Sequence, residues 1–266
     1  MDKLKKDIID YWDKQPCMSN RSNNKIKSID FYKDIDSLRK IVIDPWNYVS
    51  DFLSIERFKN KKILEIGCGI GIDAEEFAKI TPGYTAIDIS SASVEYAKAR
   101  FTNQNLTGNF CVGDASDSGI FENFSKQDLV YSSGVIHHWP EPGKIIDNVY
   151  NIMHNDSEFI FNVYSKHSWK SALVNSGLAR YESQENCPYI KLYSLDDIQI
   201  LLGKRFEIID SMQAGLFMYN LEFYKNNQLV LEPWFGCMPD EIKKSLYKNL
   251  GEMLYVQAKK AKSCFL

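Results

Sequence analysis

The sequence predicts a doubly wound α/β fold, and three observations carry that prediction. The stretch K-K-I-L-E-I-G-C-G-I-G-I-D at 61–73 is a short apolar run that ends in closely spaced glycines and enters a helical period, the pattern of strand, tight turn and helix. The pattern then recurs: strands are expected near 61–66, 83–88, 108–112, 127–132 and 157–164, separated by helical stretches at about 72–80, 90–102 and 141–154. Strands alternating with helices at this spacing pair in parallel, with helices on both faces of the sheet. Finally, 266 residues with 44% hydrophobic and 13% aromatic content suffice for one sizeable core with a smaller appendage.

Residues 1–55 precede the first core strand and are expected to form an N-terminal helical cap on a domain spanning 56–266. Within the cap, D-I-I-D-Y-W-D-K is amphipathic enough for a short helix. Q-P-C-M-S-N after it reads as a loop, with Cys17 a small buried residue. Ser90 or Ser91 caps the second helix of the alternation, and Pro142 fits the first turn of the third. Beyond residue 166 the alternation breaks, and the aromatic-rich segment 167–193 reads as an inserted lid or loop. S-L-D-D-I-Q-I-L-L (194–202) is a helix with Ser194 as cap and Asp197 completing a capping box, followed by a strand at 205–211. A second aromatic-rich insertion occupies 213–250, and L-Y-V-Q-A-K (254–259) supplies the last strand.

The formal charge of −3 leaves no global basic field for a phosphate backbone, which disfavours nucleic acid as a partner. No uncharged apolar run is long enough for a membrane span, and the start, M-D-K-L-K-K-D, mixes charge into its apolar positions. A cytoplasmic protein without membrane association is expected. Six cysteines lie scattered with no C-x-x-C pair and no Cys/His cluster, so neither a disulfide framework nor a metal site is expected.

Gly67, Gly69 and Gly71 permit positive φ and close approach of backbone to a ligand, while the following helix offers free N–H groups. A dinucleotide turn would read G-x-G-x-x-G. Here the third glycine comes one residue early and the preceding strand carries Glu65, so a ligand with a cationic part and no pyrophosphate fits better than NAD. Asp88 ends the second strand about 17 residues past the last glycine, where a carboxylate can accept both hydroxyls of an adenosine ribose. Gly113-Asp114-Ala115 follows the third strand, where an acid can accept from the adenine amino group and a backbone N–H can reach a ring nitrogen. Three sites at three successive strand ends describe one adenosine-containing ligand.

With these residues in place the sequence resembles the class I S-adenosylmethionine-dependent methyltransferases. The motifs that carry the likeness are L-E-I-G-C-G-I-G-I-D (64–73), A-I-D-I-S (86–90), V-G-D-A (112–115) and D-L-V-Y-S-S-G-V-I-H-H-W-P-E-P (128–142). The resemblance implies a Rossmann-like seven-stranded sheet with the last strand antiparallel, S-adenosyl-L-methionine as cofactor and S-adenosyl-L-homocysteine as product. It implies cofactor contacts from Glu65, Gly67, Gly69, Asp88, Asp114 and Ala115, with Ser133 and Gly134 near the methionine end. Gly71 and Ile89 adjoin these positions and complete the candidate set. The flanks are similar to a subgroup of bacterial small-molecule methyltransferases, through Y-W-x-x-x-P-C (Tyr11 to Cys17), C-P-x-x-x-x-Y-S (Cys187 to Ser194) and L-G-x-x-L-x-x-x-A-K (Leu250 to Lys259). That second likeness implies capsular or surface-polysaccharide modification, by O-methylation of sugars or phosphoramidate groups.

His137 and His138, two of only four histidines, follow the fourth strand, where an acceptor must face the sulfonium methyl. A hydroxyl acceptor has to lose its proton as the bond forms, and histidine, with an ordinary pKa of about 6.5, is the usual base. In an extended segment adjacent side chains point to opposite sides, so one of the two is expected to face the site. The N/D-P-P-Y/F/W signature of amino-methyltransferases acting on nucleic-acid bases is replaced here by Ser132, Ser133, Gly134 and Val135. Tyr11, Trp12, Arg21, Tyr164, Lys166, Tyr189 and Tyr193 are candidate substrate residues, Arg21 and Lys166 being the cations for a phosphorylated or nucleotide-linked small molecule. The rival readings are N-methylation of a small amine, for which positioning can suffice, and a non-catalytic cofactor-binding sensor.

Overall fold

A computed structural model describes residues 3–181, 186–226 and 228–262. The strands are β1 (Ile63–Ile66), β2 (Tyr84–Asp88), β3 (Asn109–Val112), β4 (Gln127–Ser133), β5 (Met153–Tyr164), β6 (Phe206–Ala214) and β7 (Met253–Lys260). They form one sheet in the order β3-β2-β1-β4-β5-β7-β6. The first five run parallel, and β7 lies antiparallel between β5 and β6. This is the seven-stranded Rossmann-like topology expected, with each strand found within a few residues of its expected place.

Both faces of the sheet are covered, which is why its strands read as near-continuous apolar runs. Ile63, Leu129, Tyr131 and Ile160 pack into one core, while Leu64, Ile66, Val130, Phe159 and Phe161 pack into the other, following the period of two along each strand. The helices are α1 (Lys3–Lys14), α2 (Ile29–Ile43), α3 (Tyr48–Leu53), α4 (Ile72–Ile80), α5 (Ser91–Gln104), α6 (Pro142–Ile152), α7 (Trp169–Asn175), α8 (Leu195–Leu202), α9 (Leu221–Lys225), α10 (Pro233–Gly236) and α11 (Asp240–Leu250). Ser90 caps α5 by accepting from the Ser93 amide, Pro142 opens α6, and Ser194 with Asp197 forms the capping box of α8.

The N-terminal helices dock on this frame by burying Ile8 of α1 and Phe31 and Ile35 of α2, and through charge. Asp13 at the end of α1 accepts from Ser90 Oγ (2.9 Å), Ser91 Oγ (3.2 Å) and the Ala92 amide (3.0 Å). The carboxylate thus serves the N-terminus of α5, where orphan N–H groups and the helix dipole favour an anion. Arg100 on α5 is 2% exposed and holds Asp36 of α2 at 2.7 Å and Glu75 of α4 at 2.5 Å. Losing either acid would leave buried guanidinium N–H groups without an acceptor, so the triad ties α2 to the α4–α5 layer.

Two expectations need correction. The segment 167–193, read as an inserted lid or loop, contains a helix the sequence did not announce, α7, with Ser168 as its cap; residues 182–185 of it, like Cys264, lie outside the described residues. Cys17 is exposed instead of buried within the cap. Among the described residues no helix is long and apolar enough to cross a membrane.

Candidate active site

The chain leaves β1 through a turn in which Gly67, Gly69 and Gly71 have φ of 79°, 52° and 84°. A Cβ at Gly67 would lie 2.0 Å from Val135 Cγ2, so side-chain volume is excluded there by the turn after β4. A Cβ at Gly69 would meet nothing within 4 Å, because that residue faces open space. Asp88 at the end of β2 braces this turn: Oδ2 accepts from the Gly69 amide and Oδ1 from the Ser90 amide, each at 2.8 Å. Burial pushes the Asp88 carboxyl up to about 6 against the pull of these amides.

Glu65 is 2% exposed in β1 and accepts from the Tyr84 hydroxyl at 2.5 Å. Burial, reinforced by the neighbouring Asp73 charge, holds its pKa well above the usual carboxylate range. Such an acid is poised to ionise when a cationic group arrives beside it. Arg39 of α2 pairs with Asp73 at 2.5 Å, and the Tyr131 hydroxyl donates to the same carboxylate at 3.0 Å. After β4, Asn162 fixes the chain by accepting from the Gly134 amide (3.0 Å) and donating to Ser133 Oγ (2.8 Å).

These groups surround a single cavity of about 340 Å³ at the carboxyl edge of the sheet. Its wall includes Glu65, Gly67, Gly69, Asp88, Ile89, Asp114, Ala115, Ser133 and Gly134. The same wall also carries both histidines with Trp12, Arg21 and Tyr164. The expectation that only one histidine faces the site is corrected, because Ile136–His138 is a 3-10 turn and not an extended segment. In such a turn successive side chains are rotated by about a third of a circle, so neighbours can share a side. The His137 ring lies 4.1 Å from that of His138 and 4.2 Å from that of Tyr164, while Trp12 meets His138 edge-on at 5.0 Å. Burial pushes the His137 pKa well below 6.5, with the His138 ring adding to it, and pushes His138 down to about 4. Both rings are therefore neutral at pH 7.

A family model described as a methyltransferase domain matches residues 57–226, well over half of the chain. This protein belongs to that methyltransferase family. Among its relatives, the ubiquinone biosynthesis O-methyltransferase of Salmonella paratyphi A is 25% identical over 44% of this chain and 48% of its own length. The malonyl-[acyl-carrier protein] O-methyltransferase of Acetivibrio thermocellus is 26% identical over 68% of this chain and 64% of its own. The chain thus spans less than two thirds of either relative. Among solved structures, magnesium protoporphyrin IX methyltransferase (ChlM) from Synechocystis PCC 6803 with bound SAH superposes with a TM-score of 0.59 at 14% identity, covering 97% of this chain and 100% of that one. An S-adenosylmethionine-dependent methyltransferase from Clostridium acetobutylicum gives 0.56 at 14% identity, covering 87% and 99%. At that identity the likeness speaks to the fold.

Within this member of the family, several candidates fall outside the cavity wall. Gly71 is one: a Cβ there would sit 3.2 Å from Ala97, so this glycine lets α4 pack against α5. Tyr11 stands edge-on to Trp12 without lining the cavity, and Lys166 is largely exposed, 4.0 Å from Asp197. Tyr193 is buried in the core, with Lys191 above its ring. Tyr189 approaches only through its backbone, whose carbonyl lies 3.0 Å from His138 Nδ1. Residues that sequence reasoning missed include Arg39, Asp73, Tyr131 and Asn162. Asp73 carried a signal, being the acid that opens α4 just past the glycines. Arg39 carried none, as a helical arginine on a polar face looks like any other. Among the described residues no group of three or more His, Cys, Asp or Glu is placed to hold a metal ion.

Proposed function

We propose that this protein transfers a methyl group from S-adenosylmethionine to an oxygen of a small polar metabolite. The observation that carries the reading is the meeting, in one cavity, of three successive strand-end sites with two neutral buried histidines. Asp88 would hold the ribose hydroxyls, Asp114 and Ala115 the adenine, and the 67–69 turn with Glu65 and Arg39 the methionine part. When bound, the cofactor supplies an electrophilic methyl on a sulfonium. Glu65 and Asp73 provide negative potential beside that cation, and the aromatic wall excludes water so that such charges act at short range. A neutral histidine accepts the hydroxyl proton as the bond to carbon forms. Both curated relatives described above are named O-methyltransferases, which supports oxygen as the acceptor.

The finer form of this reading is O-methylation of a nucleotide-linked sugar or a phosphoramidate in capsular or surface-polysaccharide synthesis. Arg21 in the cavity wall supports an anionic acceptor, whereas Lys166, outside the wall, lends no support. Residues 1–55 act as a cap on the 56–266 domain in this account, with α1 and α2 closing the acceptor end. The test is transfer of label from methyl-labelled S-adenosylmethionine into fractionated extract of cells lacking the protein. Label in a small anionic fraction would support the finer form, and label in a small uncharged fraction only the coarser one. Label confined to macromolecules would overturn both.

A further inference from the structure

The cavity reaches well past the ends of β1, β2 and β3. Asn162 and Tyr164 of β5 stand opposite Tyr255 and Met253 of β7 in the antiparallel ladder, and Ser133 of β4 stands opposite Asn162. Paired residues share a face of the sheet, so these five side chains form one continuous floor, and all five line the cavity. Glu65 lies on the same face, paired with Tyr131 two residues before Ser133. From β1 to β7 the sheet order crosses three strand spacings, about 14 Å.

A helix roofs this floor. α2 has 15 residues, about 22 Å of rise, and is tied near its start to α5, where the Tyr32 hydroxyl donates to the Tyr96 carbonyl at 2.6 Å. Its end lies on the β6–β7 side: Ile43 Cδ1 comes within 3.7 Å of where a Cβ on Gly215 would stand, and the Tyr247 hydroxyl donates to the Ile43 carbonyl. Arg39 is held by Asp73, and the α2 residues that line the cavity beside it are Leu38, Val42 and Ile43. Val42, Ile43, Leu229 and Met253 are half-buried and pack on one apolar cluster that contains Tyr255. Each adds aliphatic surface to the cavity wall. Glu252, just before β7, also lines the cavity, so the stretch is apolar without being free of charge. An apolar group set against such surface is favoured by the water it displaces, whereas a hydroxylated one gives up hydrogen bonds there.

Resting on the coarser form of the reading above, methyl transfer to an oxygen, we propose that the stretch between β5–β7 and the end of α2 takes an apolar portion of the acceptor. The acceptor is then amphipathic. Its reacting hydroxyl lies by the turn after β4, and a hydrocarbon portion runs from there past Asn162 towards β7. Two strand spacings separate β4 from β7, about 10 Å, which sets the reach of that portion. An acceptor hydroxylated throughout would bring polar groups against Val42, Leu229 and Met253, side chains that offer no hydrogen bond.

The probe is a series of para-alkylphenols, from phenol to para-hexylphenol, titrated into protein saturated with S-adenosylhomocysteine. Each member carries one hydroxyl and a longer hydrocarbon tail than the last. Every added CH2 should tighten binding roughly fourfold until the stretch is filled. Val42→Asp sets a carboxylate on the wall and Leu229→Trp fills it, so either change should flatten that dependence. Cooperative melting and S-adenosylhomocysteine binding identify the variants that have folded. Equal affinity along the series in the wild type, or no binding by any member, would overturn the proposal. The same steepness in a folded variant would place the tail elsewhere and overturn it too. Either result leaves the methyltransferase reading intact, because saturation with S-adenosylhomocysteine is measured first on the same protein. Wild-type protein that binds no S-adenosylhomocysteine would sink that reading, and the apolar subsite with it.

Discussion

The part of the cavity proposed to hold the cofactor comes from three consecutive strand ends: residues 67–69 after β1, Asp88 closing β2, and Asp114 with Ala115 after β3. The rest of the wall instead gathers Trp12 and Arg21 from before the sheet, the histidines after β4, Tyr164 at the end of β5, and Leu229, Glu252 and Met253 from the late chain. Parallel topology dictates the first set, because every carboxyl end of a parallel strand arrives at the same edge. The second set obeys no such rule. Its members are brought together by long-range contacts: α1 docks on the start of α5 through Asp13 and buries Ile8, α2 is tied by Arg100, and the 187–193 segment returns to the histidine turn.

This contrast can be broken or sharpened by experiment. The largest effect is expected at Gly67, where alanine would need a left-handed backbone and would drive its Cβ to 2.0 Å from Val135. Gly67→Ala should cost roughly 2–4 kcal/mol of stability and abolish S-adenosylhomocysteine binding, as read by urea melts and calorimetry. A normal melt with full binding would show that the turn is not the cradle. Next comes pH. Asp88 is pushed up to about 6, and its ionised form, the better acceptor for ribose hydroxyls, prevails above that value. Affinity for S-adenosylhomocysteine should hold above pH 7 and fall by up to about tenfold per unit as the pH drops below 6. A flat profile would remove Asp88 from the ribose site.

Asp13→Ala probes the acceptor end by removing the shared cap of α5, at a cost of about 1 kcal/mol and a drop of roughly 2–4 °C in Tm. An unchanged Tm would mean that α1 is held elsewhere. The smallest effect belongs to Lys166→Ala, which should leave methyl transfer within about twofold of wild type, as its exposed ammonium stands outside the wall. A tenfold loss would extend the acceptor end outward.

Legibility in the sequence follows the same divide. Strand periodicity, the glycine run and the acids at strand ends are local signals; they located β1 to β5 within a few residues and picked out residues that line one cavity. The capping box at Ser194 and Asp197 was equally local, since both its partners lie within one helical turn. Arg39 and the true orientation of the histidines were not legible. The first is an ordinary helical charge until Asp73 stands opposite it, and the second depended on a 3-10 turn that the H-H pair itself does not announce. Tyr189 and Tyr193 were singled out for their rings, yet one meets His138 through its carbonyl and the other fills core.

The central claim is that this cavity is an S-adenosylmethionine site, and the most direct test is calorimetric titration of S-adenosylhomocysteine into the wild-type protein and into Asp88→Asn. The variant keeps the side chain's shape but removes its charge and part of its accepting capacity. Saturable one-site binding by the wild type, weakened about 10- to 100-fold in a variant that still melts cooperatively, is the predicted result. No binding by the wild type, or equal binding by both proteins, would contradict it.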